Sequence, residues 1–148
     1  MNIELDINLH LIWFHIYQLG IAFLLALPIA FDRDAESNGA GLRTFPLVAI
    51  ACAAFMLVSI DVFEDPGSQA RVMYGVITGI GFIGGGSILK SSKSVYGTAT
   101  AAGIWLTGAI GVSVAFKRYE IAIVLSIMGF LVLRYLKSDN KKEKPSER

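Results

Sequence analysis

The charged and hydroxyl side chains that could do chemistry in this sequence are concentrated between its first two apolar runs. The cluster consists of Asp32, Arg33, Asp34, Glu36, Arg43 and Thr44. Charged groups are costly to hold near lipid, so such a cluster is a functional hypothesis by default. A structural role, in which these residues anchor the membrane topology and cap helices, is equally compatible with their position at a membrane boundary.

Two residues of this cluster lie at helix ends that disfavour their charges. Asp32 falls at the C-terminal end of the first run, where the backbone carbonyls make the field negative. Arg43 falls just before the second run, where Thr44 is a plausible N-cap and the field is positive. Antiparallel neighbours bring these two ends together, so we predict an Asp32–Arg43 ion pair, with Arg33 as the competing partner of Asp32.

A second acidic group, Asp61, Glu64 and Asp65, follows the second run. Carboxylate oxygens suit Mg²⁺ or Ca²⁺, so these three residues are weak candidates for a metal site. A solvated loop is the simpler interpretation. Asp65 followed by Pro66 is typical of a helix start, with the acid at the N-cap and proline in the first turn. No cofactor site and no nucleic-acid partner are predicted.

Small residues dominate the third and fourth apolar runs. The candidate packing positions are Gly75, Gly79, Gly81, Gly84, Gly85, Gly103, Thr107 and Gly111. Small residues let helix backbones approach closely in lipid. We therefore expect the third and fourth helices to pack tightly together, or these faces to meet across a subunit interface. The GxGxxG string at 79–84 lacks the preceding strand that a dinucleotide-binding site needs. An alternative to helix packing is that glycines 84–86 loosen the third helix and that its unwound backbone lines an ion site.

Five apolar runs must position these groups. They cover Leu9–Phe31, Phe45–Ile60, Val72–Leu89, Thr98–Phe116 and Tyr119–Leu136. A helix of about 20 residues spans the hydrocarbon core of a bilayer. Hydrophobic residues make up 54% of the chain and charged residues 17%, which leaves little polar surface for a soluble protein. The sequence predicts an all-α polytopic membrane protein, a bundle of five transmembrane helices over residues 1–137, followed by a disordered charged tail over 138–148.

The basic residues set the predicted orientation of this bundle. Of the 13 Lys and Arg residues, all but Arg71, Lys117 and Arg118 fall in polar segments on one side of the alternating topology. Basic segments stay in the cytoplasm. The N-terminus is therefore predicted outside and the C-terminus in the cytoplasm.

Three strings resemble the MgtC/SapB family of bacterial inner-membrane proteins. Residues 31–34 with 40–44 are similar to the family's LERE…AGLRT, residues 78–89 to SGIGFLGAGTIL, and residues 95–107 to VRGLTTAASLWVT. Together the matches run over roughly residues 24–111. The chain departs from the family pattern at four positions. Asp32 stands where glutamate is usual, and the other three non-consensus residues are Phe45, Gly75 and Tyr96.

The resemblance implies a multi-pass inner-membrane protein linked with Mg²⁺ limitation and, in pathogens, with virulence and survival inside host cells. It implies a regulatory role toward other membrane proteins, and no soluble C-terminal domain is expected here although many members carry one. No nucleophile–base pair or phosphate loop predicts an enzyme. The alternatives are a cation (Mg²⁺) transporter or channel with Asp32, Arg43 and Asp61 along its path, and a glycine-packed scaffolding homo-oligomer.

Overall fold

Five helices account for most of the chain. The computed structural model describes residues 8–35, 41–90 and 95–136. The helices are α1 (Leu9–Asp34), α2 (Thr44–Val62), α3 (Pro66–Gly86), α4 (Thr98–Ala115) and α5 (Tyr119–Tyr135). The prediction of an all-α membrane protein with five helices is confirmed, and α1, α2 and α4 are long and apolar enough to cross a membrane. Glu36 and the predicted tail lie outside the described residues.

Helices α1 and α5 run parallel to each other. The hydroxyl of Ser126 donates to the carbonyl oxygen of Leu25 (2.6 Å), and the guanidinium of Arg33 donates to that of Leu133 (3.4 Å). The first of these bonds lies beside Pro28, a proline inside α1 that has no amide hydrogen to donate to the preceding turn. Polar side chains of neighbouring helices commonly support the backbone at such sites in membrane proteins.

Helix α4 is the centre of the bundle, because it contacts all four other helices and packs most extensively against α2. Gly103 faces Phe45 and Gly111 faces Ala49, so α2 and α4 run parallel. The core is built from small and branched apolar side chains of α1, α2 and α4. Its fully buried members include Ala22, Ala26, Ile29, Ala30, Phe45, Ala49, Ala53, Met56, Ile104, Ile110 and Val114.

Helix α3 lies at the edge of the bundle and contacts mainly α2 and α4. Gly84 approaches Ala101 and Ile80 approaches Gly108, so α3 and α4 run antiparallel. Only Ile80 and Gly84 of this helix are buried. The expected contact between the third and fourth helices is present, and Ile80 and Gly84 are its buried members on α3. Helices α1, α3 and α5 thus end at one end of the bundle, hereafter the Asp32 end, where α2 and α4 begin.

Helix α3 is shorter at its C-terminal end than the apolar run predicts. The run continues to Leu89, whereas the helix ends at Gly86. The hydroxyl of Ser87 donates to the carbonyl oxygen of Gly84 (2.7 Å) and so satisfies a carbonyl in the last turn. The three consecutive glycines stay helical, and no loosened segment is present among the described residues of α3.

A short hairpin that the sequence did not predict joins α3 to α4. Strand β1 (Leu89–Lys90) pairs antiparallel with β2 (Val95–Tyr96). Gly97 follows with φ +83°, a left-handed conformation that favours glycine. A Cβ atom at this position would overlap the carbonyl oxygen of Ser87. This glycine therefore allows the chain to turn directly from the hairpin into α4.

Candidate functional site

A buried ion pair lies at the end of α1. The guanidinium of Arg33 donates to one oxygen of Asp32, from Nη2 at 2.6 Å and from Nε at 3.1 Å. The two side chains are 6% and 1% exposed, respectively. Nη2 of Arg33 also donates to the carbonyl oxygen of Leu133, in the last turn of α5, where carbonyls have no partner inside the helix. The pair therefore joins the ends of α1 and α5.

Arg134 of α5 adds a second positive charge to this pair. Its Nη1 lies 3.9 Å from Oδ1 of Asp32, and its side chain is 54% exposed. Oδ1 of Asp32 accepts no hydrogen bond from the described residues. One buried carboxylate thus faces two guanidiniums. In the sequence analysis Arg134 counts only among the residues that set the orientation, because its place beside Asp32 depends on how α1 and α5 pack.

The predicted Asp32–Arg43 ion pair is wrong. Asp32 turns inward toward α5 and binds the adjacent Arg33, which was the predicted competitor. Arg43 is exposed, and no ion pair joins it to a carboxylate of the described residues. Thr44 is also not the N-cap of α2, because Arg43 occupies that position and no side chain caps the helix. Arg43 therefore takes no part in the buried pair.

The backbone of this loop is held by Asp34. Oδ1 of Asp34 accepts a hydrogen bond from the amide of Leu42 at 3.2 Å. The carbonyl oxygen of Gly41 accepts the amide of Thr44 at 3.1 Å, at the start of α2. A Cβ atom on Gly41 would overlap the Asp34 carboxylate and lie 2.8 Å from its Cα. The glycine lets the loop return closely over the end of α1, and this contact fixes where α2 begins.

Arg43 and Thr44 instead line an open groove between α2 and α3. The groove has a volume of about 800 Å³, and apart from these two residues its walls are apolar. Two of the predicted packing residues, Gly75 and Gly79, also line it. The predicted polar cluster is therefore divided: Asp32 and Arg33 face the bundle interior, whereas Arg43 and Thr44 face the groove.

The glycines of α3 and α4 differ in what surrounds them. A Cβ atom at Gly75, Gly79, Gly81 or Gly85 would meet nothing within 4 Å, so these α3 positions have no close packing neighbour in the described chain. The α4 glycines Gly103 and Gly111 are buried against α2.

The threonine between these two glycines is buried as well. The Thr107 hydroxyl donates to the carbonyl oxygens of Gly103 (3.2 Å) and Ile104 (2.8 Å). Its own helix thus satisfies the hydroxyl, and the small-residue face of α4 packs mainly against α2 rather than α3.

The acidic loop after α2 does not form a metal site in the part of the chain that the structure describes. No three His, Cys, Asp or Glu side chains come together there in a way that could hold an ion. Asp65 caps α3, as predicted, accepting the amides of Gly67 (3.1 Å) and Ser68 (2.7 Å) and the Ser68 hydroxyl (2.8 Å). The hydrogen bonds from the Ser68 side chain and these two amides lower the pKa of Asp65. Asp61 and Glu64 are exposed.

Two buried polar side chains toward the other end of the bundle were missed from the sequence. Gln18 of α1 is fully buried, and neither its amide nitrogen nor its amide oxygen has a hydrogen-bond partner in the described chain. The hydroxyl of Ser59 in α2 is likewise buried and unpartnered. Unpaired polar groups are expensive in an apolar interior. An amide inside an otherwise apolar run was the signal that marked Gln18.

The chain resembles known proteins over most of its length. A model of the MgtC family matches residues 19–141. The protein named "Putative magnesium transporter YhiD" from Escherichia coli is 39% identical over 125 residues, which cover 80% of this chain and 58% of the relative. "Protein MgtC" of Salmonella typhimurium is 35% identical over 114 residues, or 77% of this chain and 48% of the relative. The chain thus spans about half the length of these relatives, and no solved structure matches it.

Proposed function

The chain belongs to the MgtC family, and we propose that it is a regulatory protein of the bacterial inner membrane that acts on other membrane proteins when Mg²⁺ is limiting. The name of the Escherichia coli relative supports a link with magnesium, and the apolar helices support a place in the bilayer. We further propose that it crosses the membrane five times and acts without catalysing a reaction. In pathogens, the same role would support survival inside host cells.

The closed geometry of the charged site is the observation that supports regulation over transport. A transporter needs ionisable groups near the midplane of the membrane. Among the described residues, the buried Asp and Arg side chains are Asp32 and Arg33, and both lie at one end of the bundle. They bind each other and join α1 to α5. Such a site can fix the conformation of the protein surface at that end of the bundle. It does not provide a series of ionisable groups along which an ion could cross the bundle.

Growth under Mg²⁺ limitation tests this proposal. A deletion strain should grow poorly at low Mg²⁺ and be rescued by the full chain. The purified protein in proteoliposomes that contain a Mg²⁺ indicator should show no flux above empty vesicles. Asp32→Asn should impair rescue if the site shapes the surface that a partner recognises. A deletion without a growth defect, or rescue that always tracks measured Mg²⁺ flux, contradicts regulation.

A Mg²⁺ transporter is the second candidate. The name of the Escherichia coli relative favours it, together with Oδ1 of Asp32, which is buried and accepts no hydrogen bond from the described residues. Under this function, the same proteoliposomes take up Mg²⁺, and Asp32→Asn abolishes uptake while the protein remains folded. The two functions therefore differ in the flux measurement and not only in growth.

The orientation is proposed from the basic residues and from the alternating helix directions. The Asp32 end should face the cytoplasm, where positively charged segments stay. A reporter that fluoresces only in the cytoplasm, fused after Arg148, should be active. A fusion that is active only as a periplasmic reporter would reverse the orientation.

A further inference from the structure

The groove between α2 and α3 runs along both helices as one continuous apolar stripe. On α2 its lining includes Leu47, Ala51 and Phe55 at helical spacing, and on α3 it includes Gly75, Gly79 and Ile83. Residues three and four apart lie on the same face of a helix, so the two stripes face each other along the whole groove. The absence of side chains at the two glycines widens it, because nothing in the described chain fills the space beside them.

The length of the groove corresponds to one leaflet of a bilayer. From Arg43 to Phe55, α2 rises by about 18 Å at 1.5 Å per residue. Half of a hydrocarbon core about 30 Å thick is about 15 Å. A helix of a second protein that spans the whole hydrocarbon core is about 30 Å long, well beyond the length of this groove, about 18 Å. An acyl chain of a single leaflet fits its length.

Among the described residues, the one charged side chain that lines the groove is at the Asp32 end of the bundle. Arg43 is exposed at the N-cap of α2, and Thr44 adds a hydroxyl beside it. A guanidinium can bind a phosphate through two parallel hydrogen bonds. The N-terminal end of a helix also favours negative charge. The groove is thus apolar along one leaflet and positive at the depth of the lipid head groups.

We propose that the groove is a binding site for an anionic glycerophospholipid, with the phosphate at Arg43 and one acyl chain between α2 and α3. Basic pockets between membrane helices bind anionic head groups in this way. The site differs from the buried Asp32–Arg33 pair, because it faces lipid on the outer side of α2. It rests on the membrane location of the chain and not on the regulatory function.

Native mass spectrometry of the full chain in mild detergent tests the site. The probes are phosphatidylglycerol and phosphatidylcholine with the same acyl chains. We expect one phosphatidylglycerol to be retained preferentially. Arg43→Gln should weaken this retention about fivefold, the effect of one basic residue at a membrane surface. Gly79→Leu should reduce the retention of both lipids, because its side chain fills the groove without meeting a neighbour at Cβ.

Two variants control for surface charge and for added bulk. Lys90→Gln removes an exposed positive charge at the same end of the bundle, outside the groove. Gly81→Leu adds the same side chain to α3, also where nothing lies within 4 Å of Cβ, but away from the groove. Both should retain lipid like the unchanged chain.

Equal retention of the two lipids by the unchanged chain would overturn the proposal, as would unaltered retention in Gly79→Leu. Loss of a dimer in Gly79→Leu, with lipid retention unchanged, would assign the groove to a second copy of the chain instead. Equal losses in a variant and its control would show that the effect is not specific to the groove and would also reject the site.

Discussion

Removal of the Asp32 carboxylate should destabilise the protein strongly. In Asp32→Ala, the guanidinium of Arg33 stays in a site where it is only 6% exposed and loses two hydrogen bonds. Removing one partner of a buried ion pair costs about 3–5 kcal/mol. The free energy of unfolding of native proteins is about 5–15 kcal/mol, so this loss is a large share of the total stability.

The double variant Asp32→Leu/Arg33→Leu should be far less damaging than Asp32→Ala. Replacing a buried pair by apolar residues is often neutral or stabilising. Here the hydrogen bond from Arg33 to the carbonyl of Leu133 is also lost, which costs about 0.5–1.5 kcal/mol. Arg134→Ala is the matched control, since this guanidinium lies 3.9 Å from Asp32 but is 54% exposed. It should cost about 0–1 kcal/mol.

Equilibrium unfolding by sodium dodecyl sulfate in mixed micelles, followed by circular dichroism, measures these differences. The expected order of stability is Arg134→Ala close to the unchanged chain, the double variant slightly lower, and Asp32→Ala lowest. The reasoning is refuted if Asp32→Ala costs less than about 1 kcal/mol, the range of an exposed pair. It is also refuted if the double variant is less stable than Asp32→Ala, because the cost would then not come from removing one member of the pair while the other stays buried.

Three further predictions concern the rest of the bundle. Gly111→Ala should lower the free energy of unfolding by about 1–3 kcal/mol, because the added Cβ overlaps the backbone of α2. Gly81→Ala should be neutral or stabilising by up to about 1 kcal/mol, because its Cβ meets nothing. Equal unfolding midpoints of the two variants would contradict this. The Asp65 carboxylate, whose pKa is lowered from 3.8, should stabilise α3 above that pH and lose this effect as the pH falls through the lowered pKa. The difference in melting temperature between Asp65→Ala and the unchanged chain should therefore shrink in acid. A difference that stays constant with pH would contradict this prediction. Gln18→Leu should stabilise by about 1–3 kcal/mol, since it removes two unpartnered buried polar atoms; a lower melting temperature would show that the amide is satisfied.

The five helices and the cap of α3 could be predicted because their causes are local, whereas the predicted cap of α2 was wrong. Apolar runs of bilayer length define α1, α2 and α4, and Asp65 with Pro66 starts α3 through hydrogen bonds within one turn. The end of α3 was harder to predict. Its apolar run continues to Leu89, but a serine hydroxyl in the last turn and the pairing of two short strands stop the helix earlier. Hydropathy does not distinguish an apolar strand from the last turn of an apolar helix.

The partners of the charged and small residues could not be predicted, because they depend on how helices far apart in sequence meet. Asp32 lies near Arg134 only because α1 and α5 run parallel and end together. Gly81 and Gly111 are the same residue in similar apolar runs, yet one faces open space and the other the backbone of α2. The pattern of small residues shows where close approach is permitted, and the packing of the bundle decides where it occurs.

The polar cluster at the end of α1 and the start of α2 contributes to two places in the protein, the buried contact with α5 and the groove between α2 and α3. Asp32 and Arg33 bind each other and the end of α5, which sets the position of the last turn of α1. Asp34, in that same turn, accepts the amide of Leu42 and thereby fixes the loop that leads into α2. The residue after Leu42 is Arg43, the charged residue that lines the groove. We therefore expect a change in the buried pair to reach the groove through Asp34 and Leu42, so Asp32→Ala should weaken phosphatidylglycerol retention even though Asp32 does not line the site. Unchanged retention by folded Asp32→Ala would refute this coupling.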